Sequence, residues 1–191
     1  MNETKGYDLV VSVGTDHHLF NRLIDWIDSW AAEQPDAPAA FVQHGASRAA
    51  AFGTNRDRLP RAELLEIYRN AQVVVVQGGP GSILDVREVG VIPLAVPRVP
   101  ELKEVVDGHQ IEFTRVMAEH GNAVFVDSEE ELHRMIDEAF ANPADFRTEP
   151  RVAAPQAAGD ALATALDKVR VRNDRSVRTL FRKIRQIATG K

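Results

Sequence analysis

The sequence predicts an α/β protein, a single Rossmann-like domain built on a parallel sheet and followed by a basic amphipathic C-terminal helix. Three observations carry that prediction. Short β-branched apolar runs alternate with stretches whose apolar residues recur at helical spacing. The most apolar run, Val73 to Val76, offers no polar face, as expected of a central parallel strand covered on both sides. Several runs stop at glycine, where a strand-to-helix turn belongs. The length of 191 residues suits one domain of 1–150 with an appendage of 151–191. Hydrophobic content of 44% and charged content of 27% exclude disorder as a class.

Taken in order, Asp8 to Val13 reads as the first strand, stopped by Gly14, and Phe20, Leu23, Ile24 and Ile27 mark the helix after it. The segment Ala39 to Gln43 reads as a second strand, ending in His44-Gly45 and followed by a long polar loop. Leu64, Leu65, Ile67 and Tyr68 predict a helix after Pro60, and Gln72 to Val76 the central strand. Ser82 is expected to open the next helix, and Pro93 to Val96 forms a short strand stopped by Pro97. A helix beginning near Asp107 is expected to turn Phe113, Val116, Met117 and His120 to one face, with Gly121 ending it. Ala123 to Val126 is the fifth and last strand, and Ser128 with Glu131 forms a capping box for a helix facing inward through Leu132, Met135, Ile136 and Phe140. The Pro- and Ala-rich stretch 143–159 reads as a boundary, beyond which Val177, Leu180, Phe181, Ile184 and Ile187 define the amphipathic tail.

Composition narrows the function. The absence of cysteine removes disulfides, thiolate zinc sites and cysteine nucleophiles, and fits a reducing cytosol. Residues 1–6 lack a basic start followed by an apolar stretch, and no apolar run reaches the roughly 18–20 residues of a spanning helix, so a soluble, unexported chain is expected. A net charge of -5 argues against a nucleic-acid partner. The charge is uneven: from Lys168 to Lys191 there are nine Lys or Arg and one acid, Asp174.

In an open parallel sheet a ligand lies beyond the carboxyl ends of the strands, which directs attention to two turns there. These are Gly14-Thr15 after the first strand and Gly78-Gly79-Pro80-Gly81-Ser82 after the central one. Glycine lets a diphosphate approach the backbone, and the amides of the following helix favour an anion. Gly14-Thr15 alone fits a tight turn equally well. Neither a Walker loop nor a Gly-x-Gly-x-x-Gly fingerprint is present, which disfavours P-loop enzymes and dehydrogenases.

The ordered segments Val10 to Thr15, Val42 to Gly45, Gly78 to Asp85, Val96 to Arg98 and Glu104 to Gln110 resemble the C-terminal domain of glycosyltransferase family 28. The resemblance spans roughly residues 8–140. It is nearest to short standalone members, such as the small subunit of the dolichol-linked N-acetylglucosamine transferase and bacterial exopolysaccharide subunits. It implies the C-terminal half of a two-domain glycosyltransferase fold. It also implies that Gly14, Thr15 and the turn Gly78, Gly79, Pro80, Gly81 and Ser82 hold the diphosphate of a UDP-sugar, which is a donor substrate with no separate cofactor.

By the same resemblance Asp85 accepts hydrogen bonds from the ribose diol, and His109 and Gln110 contact the hexose hydroxyls. Local alternatives stand beside these roles, since Ser82 with Asp85 and Asp107 with Gln110 are both spaced as capping boxes. Arg98 is expected at the same cleft, offsetting diphosphate charge or pairing with a uronic acid, unless it is a solvated loop arginine. His17 and His18, at the start of the first helix, are the candidate catalytic residues, for the leaving diphosphate or proton transfer. Adjacent side chains diverge, so at most one is expected to act, and without an acidic cluster nearby no metal is expected. Gln77, Val105 and Gly108 depart from the family pattern of short members.

One domain lacks an acceptor site. The resemblance therefore implies a membrane-associated acceptor-binding subunit as partner, a lipid-linked or polysaccharide acceptor, and a cytoplasmic protein peripheral at the inner face of the membrane. The basic tail is expected to meet that partner or anionic lipid, or to cover a groove of its own domain. The alternative function is a non-catalytic nucleotide-sugar-binding regulatory or scaffold subunit of a polysaccharide-synthesis complex. A fragment of a UDP-sugar epimerase is disfavoured, because those enzymes carry both domains on one chain.

Overall fold

The computed structural model describes residues 6–151. Among them are six strands and five α-helices, which alternate except where β3 directly follows β2. Strands β1 (Leu9–Ser12), β2 (Ala40–Gln43), β3 (Thr54–Arg56), β4 (Val73–Gln77), β5 (Leu94–Val96) and β6 (Val124–Phe125) form one sheet in the order β3-β2-β1-β4-β5-β6. Every pairing is parallel, with Leu9 opposite Ala40 on one side and Val73 on the other. Helices α1 (Asn21–Glu33), α2 (Arg61–Asn70), α3 (Pro80–Glu88), α4 (His109–Glu119) and α5 (Glu129–Ala141) cover its two faces. This is the doubly wound order in which the winding direction reverses between the two strands at the middle, here β1 and β4.

The two-residue side-chain period of strands sorts the core into two layers. Leu9, Val11, Val73, Val75, Leu94 and Val96 point to one face, where Leu23, Ile24 and Ile27 of α1 and Leu132 and Ile136 of α5 meet them. Val10, Phe41, Val74, Val76 and Ala95 point to the other, against Leu64, Leu65 and Tyr68 of α2, Ile83 and Val86 of α3 and Met117 of α4.

Several expectations are corrected. The polar loop after β2 contains a sixth strand, β3, whose sequence Thr-Asn-Arg has no apolar signal and lies half-exposed at the sheet edge. Helix α3 starts at Pro80 with Gly79 as its N-cap, so Ser82 lies inside the first turn rather than capping it, and the Ser82–Asp85 capping box does not form. On α4, Thr114 and Met117 turn inward, whereas Val116 is half-exposed and His120 exposed. Half of the α5 capping box forms: the Glu131 amide donates to Ser128 Oγ at 3.4 Å, while the Glu131 carboxylate is held by Arg134 instead of reaching back to the Ser128 amide. The start of the stretch expected as a boundary packs onto the domain through buried Phe146 and a bridge between Val91 and Arg147. No described helix is long and apolar enough to cross a membrane. The expected basic tail helix lies outside the described residues.

Candidate functional site

The reversal point places two carboxyl-end turns side by side, because β1 and β4 are hydrogen-bonded neighbours with Ser12 opposite Val76. A cavity of about 280 Å³ opens there, lined by Gly14 and Thr15 on one side and by Gly81, Ser82 and Asp85 on the other. Five of the residues expected at a donor site thus share one cavity. Ser12, Gln43 and Tyr68 also line it. They are tied together: Gln43 Nε2 donates to Ser12 Oγ at 3.1 Å, and its Oε1 accepts the Leu59 amide at 3.2 Å. Burial pushes the Tyr68 hydroxyl well above its ordinary pKa, so it stays a neutral phenol against Ser12. These polar residues were not anticipated, although a buried Ser and a buried Gln ending apolar strands are a readable signal.

The glycine-rich turn resolves into separate roles. Gly78 is closed in, since a Cβ there would lie 2.4 Å from Thr114 Oγ1 and 2.8 Å from the Pro97 Cα, and its carbonyl accepts the Thr114 hydroxyl. The Gly79 amide donates to Gln77 Oε1 at 2.8 Å, while Gln77 Nε2 donates to Ser82 Oγ at 3.1 Å. Pro80 has no amide hydrogen. The donors left for an anion are therefore the Gly81 and Ser82 amides, which meet no acceptor among the described residues, at the positive end of α3. Gln77 also fills the space before Gly14, where an added Cβ would stand 3.2 Å from its Cγ.

Asp85 projects from α3 to the cavity rim, where Arg61 holds Oδ1 through Nε at 3.0 Å and Nη2 at 2.8 Å. Oδ2 has no such partner among the described residues, so one carboxylate oxygen is open to a hydroxyl donor.

The remaining expected residues lie beside the cavity rather than in it. His17 and His18 belong to the loop between β1 and α1, four and three residues ahead of Asn21, not to the helix. Their rings do not diverge: the centroids are 4.0 Å apart, and both Nδ1 atoms face Asp16 Oδ1, at 3.5 and 2.6 Å. An acidic neighbour is thus present after all, and the three side chains place ligand-type atoms within 4.8 Å of one another. The hydrogen bond from the His18 amide is the first cause holding the Asp16 carboxyl below its ordinary pKa; desolvation opposes it, and the His18 ring and nearby Arg98 add to the lowering. His109 is exposed and bonded to Asp107, which accepts both its amide and its ring nitrogen. The Gln110 side chain accepts the Arg98 amide at 3.4 Å instead of closing a capping box with Asp107.

Arg98 is neither a solvated loop arginine nor open to the cleft. It is 1% exposed, and its guanidinium donates to the carbonyls of Val13, His18 and Glu104 at 2.8–2.9 Å. The sequence does not separate this from a ligand-facing arginine, because the partners are main-chain atoms up to 85 residues away.

The model of the glycosyltransferase family 28 C-terminal domain matches residues 9–165. No curated protein sequence matches the chain. Among solved structures, the glycotransferase of kitacinnamycin is similar at 21% identity and a TM-score of 0.51, over 76% of this chain and 38% of that one. MurG of Acinetobacter baumannii is similar at 18% identity and a TM-score of 0.51, over 75% of this chain and 43% of that one. At these identities the likeness is one of fold. The chain spans about two fifths of the length of the two structures.

Proposed function

The chain belongs to the glycosyltransferase family 28 C-terminal domain family, and from that premise we propose that it is the donor-binding part of a transferase that moves a hexose from a UDP-sugar to a lipid-linked or polysaccharide acceptor. The observation that carries the proposal is the cavity at the reversal point of the sheet, with the Gly14-Thr15 and Gly81-Ser82 turns facing each other and Asp85 on its rim. The volume of about 280 Å³ suits a nucleoside, with Asp85 Oδ2 at hand for a ribose hydroxyl and the amides of Gly81 and Ser82 for the diphosphate. His109 and Gln110, in the first turn of α4, would face the hexose.

Transfer would be a displacement at the anomeric carbon. The acceptor oxygen forms the new bond, the bond to the diphosphate breaks, and UDP leaves with its charge stabilised by the amide end of α3. His17 or His18 would assist that departing charge from the neighbouring loop. The acceptor and its general base would come from a membrane-associated partner subunit, and the basic tail 171–191 would help hold the protein at the inner face of the membrane.

Calorimetric titration with UDP, GDP and ADP tests the donor reading. UDP is expected to bind preferentially, and Asp85→Ala to weaken it by about tenfold to a hundredfold, the loss of a charge-assisted hydrogen bond. If UDP does not bind, the proposal fails. A regulatory, non-catalytic role gains weight from His17 and His18 lying outside the cavity lining. Absence of transfer with every native partner, with UDP binding intact, would favour that second reading.

A further inference from the structure

One loop that lines the cavity, through Gly14 and Thr15, is tied by a buried circuit to a second loop outside the lining. The first, between β1 and α1, holds Gly14, Thr15, His17 and His18; the second, between β5 and α4, leads to His109 and Gln110. Arg98 reaches from the second into the first, with Nη2 on the Val13 carbonyl at 2.9 Å and Nη1 shared between the carbonyls of His18 at 2.8 Å and Glu104 at 2.9 Å. The Phe20 ring lies against the guanidinium at 4.7 Å from its centroid. Glu104, 4% exposed, then grips Arg22 of α1 with both oxygens, at 3.0 and 2.9 Å, and accepts the Val99 amide at 2.9 Å. Arg22 closes the circuit on the Pro97 carbonyl at 2.9 Å.

We propose that Arg98 is a positioning residue for the diphosphate half of the donor site, fixing the Gly14–His18 loop against the β5–α4 loop without touching the ligand. The inference rests on the donor-site reading above. A buried cation is costly unless its donors are satisfied, and a strap needed only for packing is served as well by apolar side chains of similar volume. Here two of the three guanidinium nitrogens are spent on three main-chain carbonyls drawn from both loops, while Nε is buried without an acceptor. That needs the planar fork of arginine, since an ammonium is a single point that cannot span them. On the opposite cavity wall, the side chains of Leu59, Arg61, Leu64 and Asp85 make no hydrogen bond to this circuit among the described residues, and Gln43 meets it only through its main chain, whose carbonyl accepts the Val13 amide at 3.0 Å, so the nucleoside end depends less on Arg98.

The comparison that isolates the role is the ratio of UMP to UDP affinity, because the second phosphate reads the loop and the nucleoside does not. Calorimetry on the full chain with UMP and UDP would compare the unsubstituted protein with Arg98→Lys, with thermal unfolding followed in parallel. The expected result is UMP binding within about twofold of the original and a loss in UDP affinity of about tenfold or more. Should Arg98→Lys fail to fold, Arg22→Lys, which loosens Glu104 from the solvent side, carries the same test and the same expected direction. Equal losses for UMP and UDP, or none for either, overturn the positioning role while UDP binding by the unsubstituted protein keeps the donor reading intact. No UDP binding by the unsubstituted protein overturns both.

Discussion

Gly45 stands at a contact that no side chain can occupy. A Cβ there would lie 2.5 Å from the Gly14 carbonyl oxygen, and φ is +57°, so Gly45→Ala combines a clash with a left-handed backbone. The substitution is expected to cost about 1–2 kcal/mol or more in urea unfolding, and to weaken UDP by displacing the Gly14 turn. Asp16 yields a prediction with a sign. Its native pKa lies below the unfolded one, so its contribution to stability is complete above the ordinary carboxylate range and is lost as the pH falls through the native value. The main-chain amide of His18 is the first cause, so His18→Ala should leave Asp16 largely depressed, whereas loss of the depression in a carboxyl-carbon NMR titration would assign it to the ring. At this scale the sequence is ambiguous about what a residue faces. Gly14 and Gly78 read alike as phosphate-turn glycines, yet one borders the cavity and the other is shut beneath Thr114 and Pro97. Arg98 misleads for the same reason, because its partners are carbonyls that no side-chain pattern encodes.

Elements with a strong period were legible and those without one were not. β4 opens with four consecutive valines buried on both faces, and α1 and α5 each repeat their apolar residues every three or four positions. β3 is three polar residues stabilised by pairing with β2, a long-range condition with no local trace. The capping sequence at Ser82 points to a cap three residues beyond the observed one, Gly79, because Pro80 is better placed at the first position, where its missing amide costs nothing. Removal of the Ser128 cap by Ser128→Ala is expected to cost about 0.5–1 kcal/mol, the low end of the range for caps given the 3.4 Å bond, as read in thermal unfolding. A loss well above that would show that Ser128 does more than cap α5.

In the whole described unit the same strands serve two cores, one on each face of the sheet. Ile27→Ala on one face should cost about 2–5 kcal/mol and Ile83→Val on the other about 0.5–1.5 kcal/mol. The double variant should match the two losses added together within about 0.5 kcal/mol, since residues in separate layers share no partners. A larger discrepancy in denaturant unfolding would mean that the sheet transmits strain between faces. The arrangement of Arg22 has an optical consequence as well. Its guanidinium sits 4.6 Å from the centroid of Trp26, one of only two tryptophans in the chain, while its other end is bound to Glu104 and the Pro97 carbonyl. Trp30, 2% exposed, stacked near Phe140 and bonded to Asp137, supplies a steady background emission. Any rearrangement that pulls on Arg22 changes the field and quenching at Trp26, so the protein carries a native fluorophore coupled to the buried circuit between the two loops.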